Sequence, residues 1–170
     1  EFIPFDPSII SEIMDALDSS DRIKVIKITK DLSAADIADI INLLPRTEIK
    51  NFIEFIENDF NPEILSELEE HIREEVINYL GPTHVAEFLQ ELETDDAVHV
   101  IEDLGESDKN IILNKIPDIE RKDLELSLNY PEDSAGRLMS VDFVSLKPNM
   151  NVGEAIDSFR ISAVSYTHLR

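Results

Sequence analysis

From Ile37 onward the sequence repeats with a period of 24 residues. Ile40, Ile64, Phe88 and Ile112 fall in register, as do Ile41, Leu65, Leu89 and Leu113, and Leu44, Leu68, Leu92 and Ile116. Later in each unit Phe52, Val76, Val100 and Leu124 align, followed by Ile56, Leu80, Leu104 and Leu128. Apolar positions at i, i+1 and i+4, then a break, then i and i+4, mark two short amphipathic helices per unit. The breaks keep phase too: Pro45 and Pro117 follow the first helices of the outer units, and Glu69 and Glu93 stand there in the inner two. Unit starts carry capping signals: Ser33 with Asp36, Asn61 before Pro62, Pro82 after Gly81, and Ser107 after Gly105. A helix pair of this size cannot bury its own apolar stripe, whereas stacked pairs bury theirs together. The expected fold is therefore an all-α solenoid, with its hand left open by the repeat.

Outside the repeats the pattern is plainer. Ser8 is a candidate N-cap for a helix from about Ile9 to Leu17, and Asp21 for a second helix carrying Lys24, Lys27 and Lys30 on one solvated face. The stretch Tyr130-Pro-Glu-Asp-Ser-Ala-Gly-Arg-Leu-Met139 is turn chemistry and forms a joint. Beyond it, Val141 to Leu146 alternates as a short strand and Lys147 to Asn151 is a turn. Val152 to Phe159 opens a helix with Asn151 as its cap, and Ser162 to Arg170 loses the helical pattern. With 170 residues, the chain fits one domain and part of a second: helical repeats over 1–129, a joint over 130–140, and the start of another domain over 141–170.

The charge narrows function. The formal net charge is −22, which disfavours nucleic acid and anionic membrane and favours cations or basic partners. From Glu54 to Asp108 there are eighteen acidic residues and one Lys or Arg, Arg73. There is no cysteine, which removes disulfides and thiolate chemistry and is compatible with a reducing compartment. No apolar run is long enough to span a bilayer, and no signal peptide is visible at Glu1. No phosphate-cradling glycine loop or nucleophile elbow occurs, and no nucleophile–base pair is visible, so an enzyme is not expected. Glu91, Asp95, His99 and Asp103, spaced by four, are the nearest approach to a ligand cluster. Carboxylates without thiolates suit a hard cation such as Mg2+. Glu63, Glu87 and Asp95 stand near repeat starts, which stacking would bring into a row. The residues alone lead to an acidic helical solenoid whose face either holds divalent cations or meets a basic partner.

Tyr130 to Val144, Tyr-Pro-Glu-Asp-Ser-Ala-Gly-Arg-Leu-Met-Ser-Val-Asp-Phe-Val, resembles the signature joining the two cytosolic parts of the MgtE family of magnesium transporters. The segments beginning Leu32-Ser-Ala-Ala-Asp-Ile-Ala and Leu80-Gly-Pro-Thr-His-Val-Ala are similar to that family's N-terminal repeats, and Pro148 to Ile156 to the start of its first CBS domain. The resemblance implies a right-handed superhelical solenoid of about ten helices, followed by a fragment of an α/β CBS domain. It implies a cytosolic Mg2+-sensing regulatory domain that closes the pore when Mg2+ bridges its acidic face to the CBS domains. The implied partners are the CBS and transmembrane domains of a homodimeric full-length protein at the cytoplasmic face of the membrane, with no nucleic acid. By motif, Glu63 and Asp95 fall on ligand positions of that family. Arg137 falls where the family offers a backbone contact and commonly carries a second glycine, and His99 falls where it can carry an acid. The repeats also resemble those of flagellar motor switch proteins, which implies the alternative of an acidic protein-interaction scaffold.

Overall fold

The computed structural model describes residues 8–131, 134–139 and 145–166. Among these residues there are ten α-helices, one short 3-10 turn and no strand. The helices are α1 (Ser8–Asp18), α2 (Arg22–Thr29), α3 (Ala34–Leu43), α4 (Arg46–Ile56), α5 (Ile64–Glu67), α6 (Glu70–Leu89), α7 (Thr94–Ile101), α8 (Glu106–Leu113), α9 (Asp118–Leu128) and α10 (Val152–Tyr166). None of the described helices is long and apolar enough to cross a membrane.

Helix starts follow local chemistry. The Asp21 side chain accepts from the Lys24 amide at 3.1 Å and caps α2. Ser33 and Asp36 form a reciprocal capping box at the start of α3, with both backbone-to-side-chain bonds at 3.1 Å. The in-phase breaks hold extended residues: Pro45 (φ −56°, ψ 139°), Glu93 (φ −63°, ψ 152°) and Pro117 (φ −55°, ψ 149°) each stand immediately before a helix. Glu69 stands before α6 in the same phase. Proline is confined to this φ and glutamate adopts it freely, so residues of unlike chemistry serve the same break.

The 24-residue register is the register of the core. The columns headed by Ile41, Leu44 and Phe52 are buried in every repeat, and in the other two only Phe88, Leu80 and Leu128 are half-buried. The chain forms two compact units, Glu1–Val85 and Ala86–Arg170, with the division inside α6. In the first unit α1 packs on α2 and α4, α2 on α4, and α3 on α5. Ile13, Val25, Ile40, Ile49, Phe52 and Ile64 are fully buried there. Asn42 accepts from the Glu69 amide at 3.2 Å, tying the first helix of one repeat to the mid-repeat break of the next. In the second unit α7 packs on α9 over Val100, Ile101 and Leu124.

Two expectations change. The strand over Val141 to Leu146 falls mostly outside the described residues, and Ser145 and Leu146 carry no strand. The last helix does not fade at Ser162 but runs to Tyr166, because Ile161 to Tyr166 contains no Gly or Pro to stop it. Asn151 caps that helix as expected: its side chain accepts from the Glu154 amide at 3.0 Å while Glu154 accepts from the Asn151 amide at 2.9 Å.

Gly81 is the backbone exception. Its φ of 76° and ψ of 160° interrupt α6, and Pro82 starts the following turns. A side chain there would meet nothing within 4 Å, so the demand for glycine is conformational rather than steric. Gly81→Ala is predicted to lower stability by about 1–3 kcal/mol. Chemical denaturation followed by circular dichroism checks this, and an unchanged midpoint would show that the kink relaxes without cost.

Candidate cation-binding face

Asp95 occupies the first turn of α7. There the positive end of the helix dipole favours a carboxylate. The residue is half-buried, and its Oδ1 is buried with no hydrogen-bond partner among the described residues. Leaving such an acceptor unsatisfied costs about 1–3 kcal/mol, which exceeds the roughly 0.3–1 kcal/mol returned by the helix end. Asp95 is one of the residues for which the resemblance implies a ligand.

His99 lies one turn later, with Nδ1 2.9 Å from Glu102 Oε1. A carboxylate only accepts, so Nδ1 carries the hydrogen and only Nε2 can offer a lone pair. The cluster spaced by four does not form on one helix, because α7 covers only Thr94–Ile101 and leaves Glu91 before its start and Asp103 past its end. Glu63 belongs to the first unit, exposed at the start of α5. Its amide donates to Asn61 Oδ1 at 3.0 Å, and Asn61 Nδ2 donates back to its carboxylate at 3.4 Å. Glu87 is exposed on α6. Among the described residues no three His, Asp or Glu side chains converge as a metal cage. Mg2+ does not require one, since it keeps several waters and takes one or two carboxylates. An oxygen-only donor set with an orphaned buried Asp95 oxygen fits that chemistry.

Arg137 was expected to contribute only a backbone oxygen. Its amide donates to Ser134 O at 3.0 Å, and its side chain turns inward. Nη1 donates to Ser127 O at 3.2 Å, and Nε lies 3.5 Å from Glu102 Oε2. The guanidinium charge is therefore engaged within the helical unit. Gly136 lies under the Tyr130 ring, where a Cβ would come within 2.6 Å of the ring, so the Tyr and Gly of the joint are required together. Glu102, which touches both His99 and Arg137, was not singled out from the sequence. Its spacing of three from His99 was the available signal; the Arg137 contact, between distant parts of the chain, gave none.

Elsewhere, Tyr79 donates to Glu75 Oε1 at 2.7 Å. This hydrogen bond, then desolvation and the Glu75 charge, push the phenol above its ordinary value, against the opposing Arg46 charge.

The profile of the MgtE intracellular N domain matches residues 32–133. The chain belongs to the MgtE family. Its match covers the repeats and ends inside the joint, so the 24-residue units are those of the MgtE N domain. No curated protein matches the sequence. Two solved structures share the fold of this MgtE chain. One is the soluble part of a magnesium transporter, with 20% identity, a TM-score of 0.68 and coverage of 92% of this chain and 62% of that one. The other is the cytosolic domain of the Mg2+ channel MgtE in complex with ATP, with 21% identity, a TM-score of 0.57 and coverage of 92% and 64%. The chain thus spans less than two thirds of either structure.

The orphaned oxygen makes a prediction for this MgtE domain. In metal-free buffer, Asp95→Asn is expected to melt within a few degrees of the wild-type temperature, because the carboxylate has no described hydrogen-bond partner at Oδ1 to lose and gives up only the helix-end interaction. A clear drop in melting temperature would show that Asp95 is structurally satisfied.

Proposed function

We propose that this chain is the cytosolic, Mg2+-sensing regulatory part of a magnesium channel or transporter. The observation that carries the reading is Asp95: a half-buried carboxylate with an unpartnered oxygen, on a stretch of nearly one sign of charge, inside the MgtE N domain. Asp95 and Glu63 offer carboxylate oxygens to hydrated Mg2+, with Nε2 of His99 a poor donor for so hard an ion. The backbone oxygen of Arg137 is a further donor. The remaining ligands come from CBS domains that follow in the full-length protein, a homodimer at the cytoplasmic face of the membrane. The chain's role is binding and positioning, with no catalytic step.

At low Mg2+ the acidic helical face and an acidic partner face repel, and the two separate. At high Mg2+ bridging ions reverse the sign of that contact, and the compact state closes the pore. Two unit charges about 4 Å apart in water interact by only about 1 kcal/mol. A shift from 1:99 to 99:1 needs about 5.5 kcal/mol. One exposed carboxylate cannot supply that difference, whereas several ions at a shared interface can.

This chain alone is therefore expected to bind Mg2+ weakly, in the millimolar range. Amide chemical-shift titration with Mg2+, against K+ at matched ionic strength, tests it. Mg2+-specific shifts are expected around Asp95 and Glu63, each lost in the corresponding Ala variant. Submicromolar affinity would contradict the shared interface. Identical responses to Mg2+ and K+ would favour the acidic interaction scaffold. In a longer chain carrying the CBS pair, millimolar Mg2+ is expected to protect the junction between the domains from protease, and Asp95→Ala to abolish that protection.

A further inference from the structure

We propose that Glu102 is a positioning residue that docks the joint, through its described residues 130–131 and 134–139, onto helices α7 to α9, so that this part of the joint moves with those helices rather than acting as a hinge. The loop's turn chemistry alone would suggest a hinge. Its contacts describe a clasp.

Arg137 is 8% exposed, one of few charged side chains buried in the described structure. Burying a guanidinium is unfavourable unless it is paired and hydrogen-bonded. Two helix ends meet that need. Ser127 in the last turn of α9 supplies its carbonyl at 3.2 Å, and Glu102 at the end of α7 supplies a carboxylate oxygen at 3.5 Å. Nε itself has no aligned acceptor among the described residues, so the Glu102 contact is one of charge. Removing the carboxylate would leave the cation buried beside one carbonyl.

Glu102 is itself held from the other sides. Its Oε1 receives His99 Nδ1 at 2.9 Å, and its backbone oxygen accepts from Lys109 Nζ of α8 at 3.0 Å. Glu102 thus joins α7, α8 and the loop, and Arg137 carries the link on to the end of α9. The loop is folded on itself as well. The Ser134 amide and hydroxyl both donate to Pro131 O, at 3.0 and 2.7 Å, the Arg137 amide donates to Ser134 O at 3.0 Å, and the Tyr130 ring covers Gly136. A loop with these internal bonds and a buried anchor opens only by breaking them. The inference uses no bound cation and stands whether or not the chain senses Mg2+.

Hydrogen exchange of the whole chain in metal-free buffer tests it. In the wild type, the Ser134 and Arg137 amides are expected to exchange at least about tenfold more slowly than in an unstructured peptide. Glu102→Gln and Arg137→Gln are each expected to speed exchange over 130–139 by about tenfold or more, with α1 to α4 unchanged. The double variant is expected to match Arg137→Gln, because the pairing with Glu102 is already lost there. If Glu102→Gln loosens α7 to α9 throughout, Arg137→Lys keeps the charge but removes the guanidinium fork, and faster exchange confined to the loop supports the clasp. Exchange at the unstructured rate in the wild type, or multiplying effects in the double variant, would overturn it. So would a loop unaltered by either Gln variant or by Arg137→Lys.

Discussion

Each unit of this chain depends on an apolar seam between its helices. Its helices are short, some of only eight residues and α5 of four, and helices of that length are not stable in water alone. They persist because each carries apolar residues at positions that a neighbouring helix covers. Strict periodicity follows, since a shift of one residue would rotate the stripe by about 100° and expose it. The residues before α4, α6, α7 and α9 keep that phase by ending one helix and starting the next at a set point. Pro45 and Pro117 do so by their rings. Glu69 and Glu93 do so because the seam on both sides leaves them no other place.

The same constraint shapes the charge. With the apolar stripe turned inward, the remaining helix faces carry the acids. Some bases offset acids on those faces, as Lys50 does with Glu54 and Arg121 with Asp118, while four serve helix ends. Arg22 donates to Phe55 O near the end of α4, Arg73 to Leu68 O at the end of α5, Lys109 to Glu102 O at the end of α7, and Arg137 to Ser127 O in the last turn of α9. Carbonyls at helix C-termini lack intrahelical donors and lie at the negative end of the dipole, so a cation satisfies both. Residues 54–108 nonetheless hold eighteen acids against one Lys or Arg, so that stretch stays strongly acidic. That is the condition under which a divalent cation can change the sign of a contact.

The joint shows how a signature can be structural and functional at once. Tyr130, Ser134, Gly136 and Arg137 are each accounted for by a contact in the folded loop: ring on glycine, hydroxyl on carbonyl, guanidinium on two helix ends. None of these requires a bound ion. Asp95 is the opposite case, a residue whose environment is incomplete as it stands.

The sequence by itself determined the repeat, the helix pairs, their caps and nearly every core residue. All of these are written in local spacing, and hydrophobic burial acts on spacing. It also pointed to Asp95 and Glu63, through motif and sign of charge. What only the tertiary structure decided is which charges meet. The pairing of Glu102 with Arg137 crosses the whole fourth repeat. The lack of a partner at the Asp95 oxygen depends on what surrounds it, and the inward turn of Arg137 depends on where the Ser127 carbonyl and Glu102 lie. Burial is encoded residue by residue. Pairing between distant side chains is set by where the backbone carries them, and no periodicity records it.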